Sequence, residues 1–226
     1  GAQVRTTSVQ KDFFLKKNSL VKLSCEDEIS NKKNIYLYPK FDISLVPLNT
    51  QILIGFDNLS LKVFKKNIPE KNILCKVIKS GYLQSKKGVH IDYPIKLGSL
   101  TDKDIYALKL GKKMNINHYA ISFVNSYKDI EKVKKIVGFK KNIISKIETL
   151  NAMKDLKNIS KNSNALLIDR GDLSRYIPIE AIPIAQEKII KRSKVFRRPV
   201  YVATNLLENM IEKSQPTRAE SNDIYS

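Results

Sequence analysis

Residues 142–172 read NIISKIETLNAMKDLKNISKNSNALLIDRGD, and the way this stretch alternates decides the fold. Asn142 to Ile147 and Ala165 to Ile168 are short runs rich in apolar residues, without a period of two. That is the pattern of strands buried on both faces. Between them Met153, Leu156 and Ile159 recur three residues apart, as one face of a helix does. Strand, helix and strand in this order predict parallel pairing with a helical crossover.

The same alternation continues on both sides. Downstream, a helix is predicted around Ala181, Ile184, Ala185 and Ile189, then a strand from Val200 to Ala203. A final helix is expected to carry Leu206, Leu207, Met210 and Ile211. Upstream, Thr101-x-x-Asp104 reads as a capping box that opens a helix through Leu108. An apolar run from Tyr119 to Val124 follows. Ser126-x-x-Asp129 then caps a helix with Ile130, Val133 and Val137 on one face, closed by Gly138. Four repeats of strand then helix result. Before Gly88 the character differs. Ile52 to Ile54, a turn at Asp57-Asn58, alternation through Leu59, Leu61 and Val63, and the run Ile73 to Ile78 predict a small all-β unit.

Polar residues recur where the predicted parallel strands end: Ser122, then Lys146 and Glu148, then Asp172, then Thr204. In a β/α barrel those ends converge on the active site. Lys146 and Glu148 are two apart, so on a strand they point to one side. A cation and a carboxylate, with a second carboxylate from the next strand, suit a divalent metal beside a phosphoryl group. The same spacing also suits a plain ion pair, with Asp172 capping the turn after Gly171. Spacing alone supports both.

With 42% hydrophobic and 28% charged residues the chain has the composition of a globular protein, and 226 residues can bury a real core. No apolar run reaches the ~18 residues a membrane helix needs. The N-terminus lacks the apolar segment of a signal peptide. It also lacks a starting Met, so Gly1 is read as the start of a fragment, a processed form or an expression product. Cys25 and Cys75 have no metal-ligand spacing and are expected to be reduced core thiols. Forty-one Lys and Arg against twenty-two Asp and Glu give a net charge of +19. Eight lysines face one acid, Glu70, between Lys62 and Lys87, and six basic residues fall between Lys188 and Arg198. Such charge attracts polyanions. No aromatic-basic interleaving or finger spacing supports nucleic-acid binding, which is not expected. A solvated lysine-rich surface is the expected origin of the charge.

The words at the strand ends are specific. Ile144-Ser145-Lys146-Ile147-Glu148 resembles the lysine-bearing strand of the pyruvate kinase family. Arg170-Gly171-Asp172-Leu173 with Ile177-Pro178-Ile179-Glu180 resembles the family's RGDL…IP segment. Val202-Ala203-Thr204, Leu207-Glu208-x-Met210-Ile211 and Pro216-Thr217-Arg218-Ala219-Glu220 resemble the next strand and helix. Leu100 to Asp104, Ser122-Phe123, Lys86 to Val89 and Gly1 to Arg5 fall in the family's order.

The resemblance implies an α/β fold: a partial (β/α)8 TIM-type barrel with an N-terminal small all-β lid domain. Residues 1–90 would be the small β-barrel lid and 91–226 part of the catalytic barrel. It implies phosphoryl transfer between phosphoenolpyruvate and ADP, giving pyruvate and ATP in glycolysis. The cofactors implied are Mg²⁺ or Mn²⁺, with K⁺, whose ligands are not in this chain. By position Lys146 would neutralise the phosphoryl group in flight, and Glu148 and Asp172 would hold the metal. Gly171, Asp172 and Thr204 would meet the substrate, with Thr204 near the carbon that is protonated. Lys87 and Arg5 would face the nucleotide phosphates. A homo-oligomer in the full-length protein and a cytoplasmic location, or a plastid, are expected, with no membrane partner.

Several positions depart from the family pattern. Four barrel strands and the regulatory domain are absent, so these 226 residues alone are expected not to turn over substrate. Gly55-Phe56 replaces an acidic pair, Ser174 replaces a glycine, Val124-Asn125 displaces an arginine and Asn205 replaces a glutamine. The alternative function is a catalytically inactive scaffold or polyanion-binding subunit.

Overall fold

A computed structural model describes residues 2–55, 59–204 and 206–225, the side chains of 222–225 excepted. The expected turn at Asp57-Asn58, and Phe56 and Asn205, lie outside the described residues. The chain divides into two compact units, Ala2–Gly98 and Ser99–Ser226.

The first unit is all β. Its strands are β1 (Arg5–Thr6), β2 (Phe13–Leu15), β3 (Leu20–Ser24), β4 (Asn34–Tyr38), β5 (Gln51–Ile54), β6 (Leu59–Asn67), β7 (Asn72–Lys79), β8 (Gly81–Leu83) and β9 (Val89–Ile91). Seven of them form one sheet in the order β1-β4-β3-β7-β6-β5-β9, while β2 and β8 pair separately. Only β3 and β4 run parallel; the remaining pairs are antiparallel. The inward set is apolar, and Ile52, Ile54, Leu59, Leu61, Val63, Ile73 and Val77 pack with Leu23, Ile35 and Leu37 in one core. Cys25 and Cys75 belong to that core as free thiols. Burial, the largest influence on both, pushes their pKa values up to about 11 and about 12.

The second unit alternates. It contains α1 (Asp102–Lys113), β10 (His118–Ile121), α2 (Tyr127–Val137), β11 (Asn142–Ile147), α3 (Leu150–Lys154), α4 (Leu156–Asn162), β12 (Ala165–Asp169), α5 (Arg170–Leu173), α6 (Ile182–Val195), β13 (Val200–Ala203) and α7 (Arg218–Tyr225). The four strands pair in parallel in the order β10-β11-β12-β13, so the sheet is part of a β/α barrel. Ile143, Ile147, Leu166 and Ile168 are fully buried and pack with Ile130, Val133, Ile159 and Ile189 from the helices. Among the described residues, no helix is long and apolar enough to cross a membrane.

The capping words act as read. Thr101 Oγ1 accepts the Asp104 N–H at 3.1 Å, and Asp104 Oδ2 accepts the Thr101 N–H at 2.9 Å. Asp129 Oδ2 accepts from the N–H groups of Ser126 and Asn125 at 3.0 and 2.9 Å. Gly138 closes α2 with φ +109°, a conformation that L side chains rarely adopt.

Four expectations need correction. The run Tyr119 to Val124 is a strand only to Ile121, because Phe123 turns the backbone to φ +52°. The helix through Met153, Leu156 and Ile159 is broken at Asp155, whose Oδ2 accepts the Tyr127 N–H at 2.9 Å. That bond draws Asp155 toward the start of α2 and out of continuous helix geometry. Ala181 lies in a 3₁₀ turn, Ile179–Ala181, and Ile184 is solvent-exposed, so the buried face of α6 is Ile182, Ala185 and Ile189. The segment carrying Leu206 to Ile211 holds one 3₁₀ turn, Glu208–Ile211, in place of a helix. Leu207 there has φ +55°, which no α-helix accepts, and Ile211 is 85% exposed.

Candidate active site

The carboxyl ends of β11 and β12 bring a cation and three carboxylates together. Lys146 pairs in register with Leu167 and Ile147 with Ile168. Extending that register by one residue puts Glu148 beside Asp169, and Asp172 follows one turn later in α5. Oxygens of Glu148, Asp169 and Asp172 lie within 4.8 Å of one another. This donor set is what a hard divalent cation prefers.

Glu148 is fully buried. Its Oε2 accepts the Phe123 N–H at 2.5 Å, and its Oε1 lies 2.6 Å from Lys146 Nζ. Phe123, which donates that N–H, has φ +52°. The neighbouring loop is tied down as well, because Thr149 Oγ1 donates to Asn125 Oδ1 at 3.0 Å. Asn125 is thus a structural link between two strand ends.

Lys146 Nζ has a second anionic partner, Asp169 Oδ2 at 3.1 Å. Burial alone would lower the lysine pKa, but the hydrogen bonds and charges of Glu148 and Asp169 outweigh it and hold the value above normal. Burial also pushes the Glu148 carboxyl up, against the lowering influence of Lys146 and the Phe123 N–H. The ammonium remains charged at neutral pH. The ion pair of the plainer reading is present and adjoins the carboxylate cluster, but the turn is capped by Asp169 and not by Asp172.

Asp172 lies within this cluster and pairs with Arg175 Nε at 3.5 Å. Its N–H donates to Asp169 Oδ1 at 3.3 Å. Thr204 follows β13 with φ +72°. Its Oγ1 accepts the Gly171 N–H at 3.1 Å, and its carbonyl accepts from the Arg170 guanidinium at 2.6 and 3.2 Å. The structure so brings Lys146, Glu148, Gly171, Asp172 and Thr204 to one end of the sheet. Ser174 Oγ donates to the Gly171 carbonyl at 2.7 Å and stays within the turn.

Arg5 and Lys87 belong to the first unit, on adjoining backbone segments. The Thr6 N–H donates to the Lys87 carbonyl, and the Lys87 N–H donates to Thr6 Oγ1, both at 2.9 Å. Arg5 pairs across with Gly88 and donates to the Lys86 carbonyl at 3.2 Å.

Asp169 is the residue that sequence reasoning missed. It is one step beyond Ile168, and its place beside Glu148 follows from the register of β11 with β12, which the sequence does not display.

Comparison with known proteins agrees with these features. The family model for the pyruvate kinase barrel domain matches residues 1–226. The chain is 34% identical over 233 residues to the pyruvate kinase of Thermotoga maritima, covering 99% of this chain and 49% of that protein. It is 34% identical over 232 residues to the pyruvate kinase of Clostridium perfringens, covering 99% and 48%. It is 32% identical over 228 residues to the plastidial pyruvate kinase 3 of Arabidopsis thaliana, covering 99% and 40%. The chain thus spans about half the length, or less, of these curated relatives.

Proposed function

Since the chain belongs to the pyruvate kinase family, we propose that it carries the phosphoryl-transfer end of a phosphotransferase acting between phosphoenolpyruvate and ADP. The observation that carries this reading is the Lys146 ammonium, 2.6 Å from Glu148 and 3.1 Å from Asp169, at adjacent strand ends.

Phosphoryl transfer asks little covalent chemistry of a protein and much electrostatic stabilisation. Lys146 supplies a fixed ammonium for the phosphoryl oxygens, already oriented before reaction. Glu148 and Asp172 would hold Mg²⁺ or Mn²⁺, and their carboxylate chemistry fits such an ion. When bound, the ion offsets negative charge on the phosphoryl and enolate oxygens. No residue here is assigned to K⁺, which the family reading also includes.

Gly171 fits a substrate contact. A Cβ built there meets Asp169 Oδ1 at 3.6 Å and Thr204 Oγ1 at 3.7 Å, which is ordinary contact. Packing within the chain does not demand a glycine, which favours the view that the space serves an incoming carboxylate. Thr204 Oγ1, bonded to the Gly171 N–H, is then placed at the same edge. We assign Ala2–Gly98 to the lid, with Lys87 and Arg5 meeting nucleotide phosphates. The reaction is glycolytic, in the cytoplasm or, as the name of the Arabidopsis relative has it for that protein, a plastid.

A second reading, a non-catalytic polyanion-binding subunit, draws on one specific feature. Lys62 and Lys76 are direct cross-strand partners and both are exposed. Like charges so placed are destabilising unless an anion meets them. The test that separates the two is pyruvate formation by the complete gene product from phosphoenolpyruvate, ADP, Mg²⁺ and K⁺. Turnover supports the kinase; no turnover, with retained polyanion binding, supports the second reading.

A further inference from the structure

The phosphotransferase reading gives Asp169 no task, yet its side chain joins Lys146 to the turn that carries Asp172. Its two oxygens are divided. Oδ2 lies 3.1 Å from Lys146 Nζ, and Oδ1 accepts the Asp172 N–H at 3.3 Å. Lys146 and a divalent cation have a common demand, because Glu148 Oε1 already lies 2.6 Å from the ammonium. Among the described residues, no other donor satisfies that oxygen. Metal binding at Glu148 would draw the same oxygen away from Lys146. The Lys146 side chain is only 21% exposed, and a partly buried ammonium without an anionic partner is costly.

We propose that Asp169 is a positioning residue: it holds the Lys146 ammonium at the strand ends when Glu148 is engaged by metal, and through its other oxygen it sets the turn that carries Asp172. The proposal rests on the phosphotransferase reading above. It assigns Asp169 to the lysine because its Oδ2 lies 3.1 Å from Nζ while its Oδ1 accepts a backbone N–H, and the Mn²⁺ measurement below tests that assignment against a metal-ligand role. The charge of Asp169 matters in this account, and its capping oxygen alone is not sufficient.

Asn and Ala at this position separate those roles, since Asn keeps an oxygen for the Asp172 N–H and loses the charge. In the complete gene product Asp169→Asn is expected to lower kcat about 10- to 100-fold, the range typical of a lost outer partner. The KM for phosphoenolpyruvate should stay within about threefold, because the substrate contacts remain. Mn²⁺ affinity, read by electron paramagnetic resonance, should fall less than in Glu148→Gln, because Glu148 and Asp172 keep their carboxylates. A readout free of turnover uses ¹⁵N-lysine-labelled protein, with the Lys146 ammonium cross-peak assigned by its loss in Lys146→Met. That signal should persist on adding Mg²⁺ to the unsubstituted protein and vanish in Asp169→Asn.

Parental kcat in Asp169→Asn, with loss only in Asp169→Ala, would reduce Asp169 to a turn cap and overturn the proposal. So would a fall in Mn²⁺ affinity as large as that of Glu148→Gln, which would make it a metal ligand. An unsubstituted protein that forms no pyruvate defeats the functional reading instead. The ammonium signal then still decides whether Asp169 holds Lys146.

Discussion

The Phe123 N–H and Glu148 Oε2 are 2.5 Å apart across 25 residues of sequence, joining the loop after β10 to the end of β11. The bond fixes a fully buried carboxylate by one oxygen and leaves the other toward Lys146. Glu148→Gln keeps an oxygen for Phe123 and removes the charge. Mn²⁺ affinity should fall at least about tenfold, while the far-ultraviolet circular dichroism spectrum stays that of the parent. A variant that binds Mn²⁺ as tightly as the parent would remove Glu148 from the metal assignment.

Asp155 stabilises two helices at once. It accepts the Tyr127 N–H at 2.9 Å and Asn158 Nδ2 at 2.6 Å. Asp155→Ala should cost about 1 to 2 kcal/mol of stability, as lost caps do, with Asp155→Asn recovering most of it. Urea unfolding curves of the two variants measure this directly. Equal stability of Ala and Asn would show that the helix break has another origin.

The two cysteines are buried in the first unit, with pKa values pushed up to about 11 and about 12. A thiol reacts as its thiolate, so at pH 8 neither should be attacked at an appreciable rate. Ellman's reagent should report no fast thiol in the native protein and two in guanidinium. A fast thiol in the native protein would mean that one of these core sites opens readily.

Much of the fold was legible because its strands announce themselves. β11 and β13 have the bounds that apolar runs predict, and Gly138 stops α2 where a helix pattern would end. Lys146 and Glu148 were legible as a same-side pair by spacing. What escaped depends on contacts distant in sequence. The break at Asp155 follows from a hydrogen bond to Tyr127, 28 residues earlier. Leu206, Met210 and Ile211 have helix-like spacing, but none of them joins the core. Periodicity describes a face and is silent on whether a surface covers it. Asp169 stood beside a recognisable word, and only the pairing of β12 with β11 reveals that it reaches Lys146.

The most direct test of the central claim is kcat and KM for Lys146→Met in the complete gene product. Met keeps the length and apolar stem of the side chain and removes the ammonium. Charge on the phosphoryl oxygens redistributes in the transition state, so the loss should appear in the barrier more than in binding. The account predicts that kcat falls about 100- to 1000-fold, as with the loss of one preorganised donor, with a much smaller change in KM. Lys146→Met turning over at the parental rate would make Lys146 no more than the ion-pair partner of Glu148, and would contradict the account.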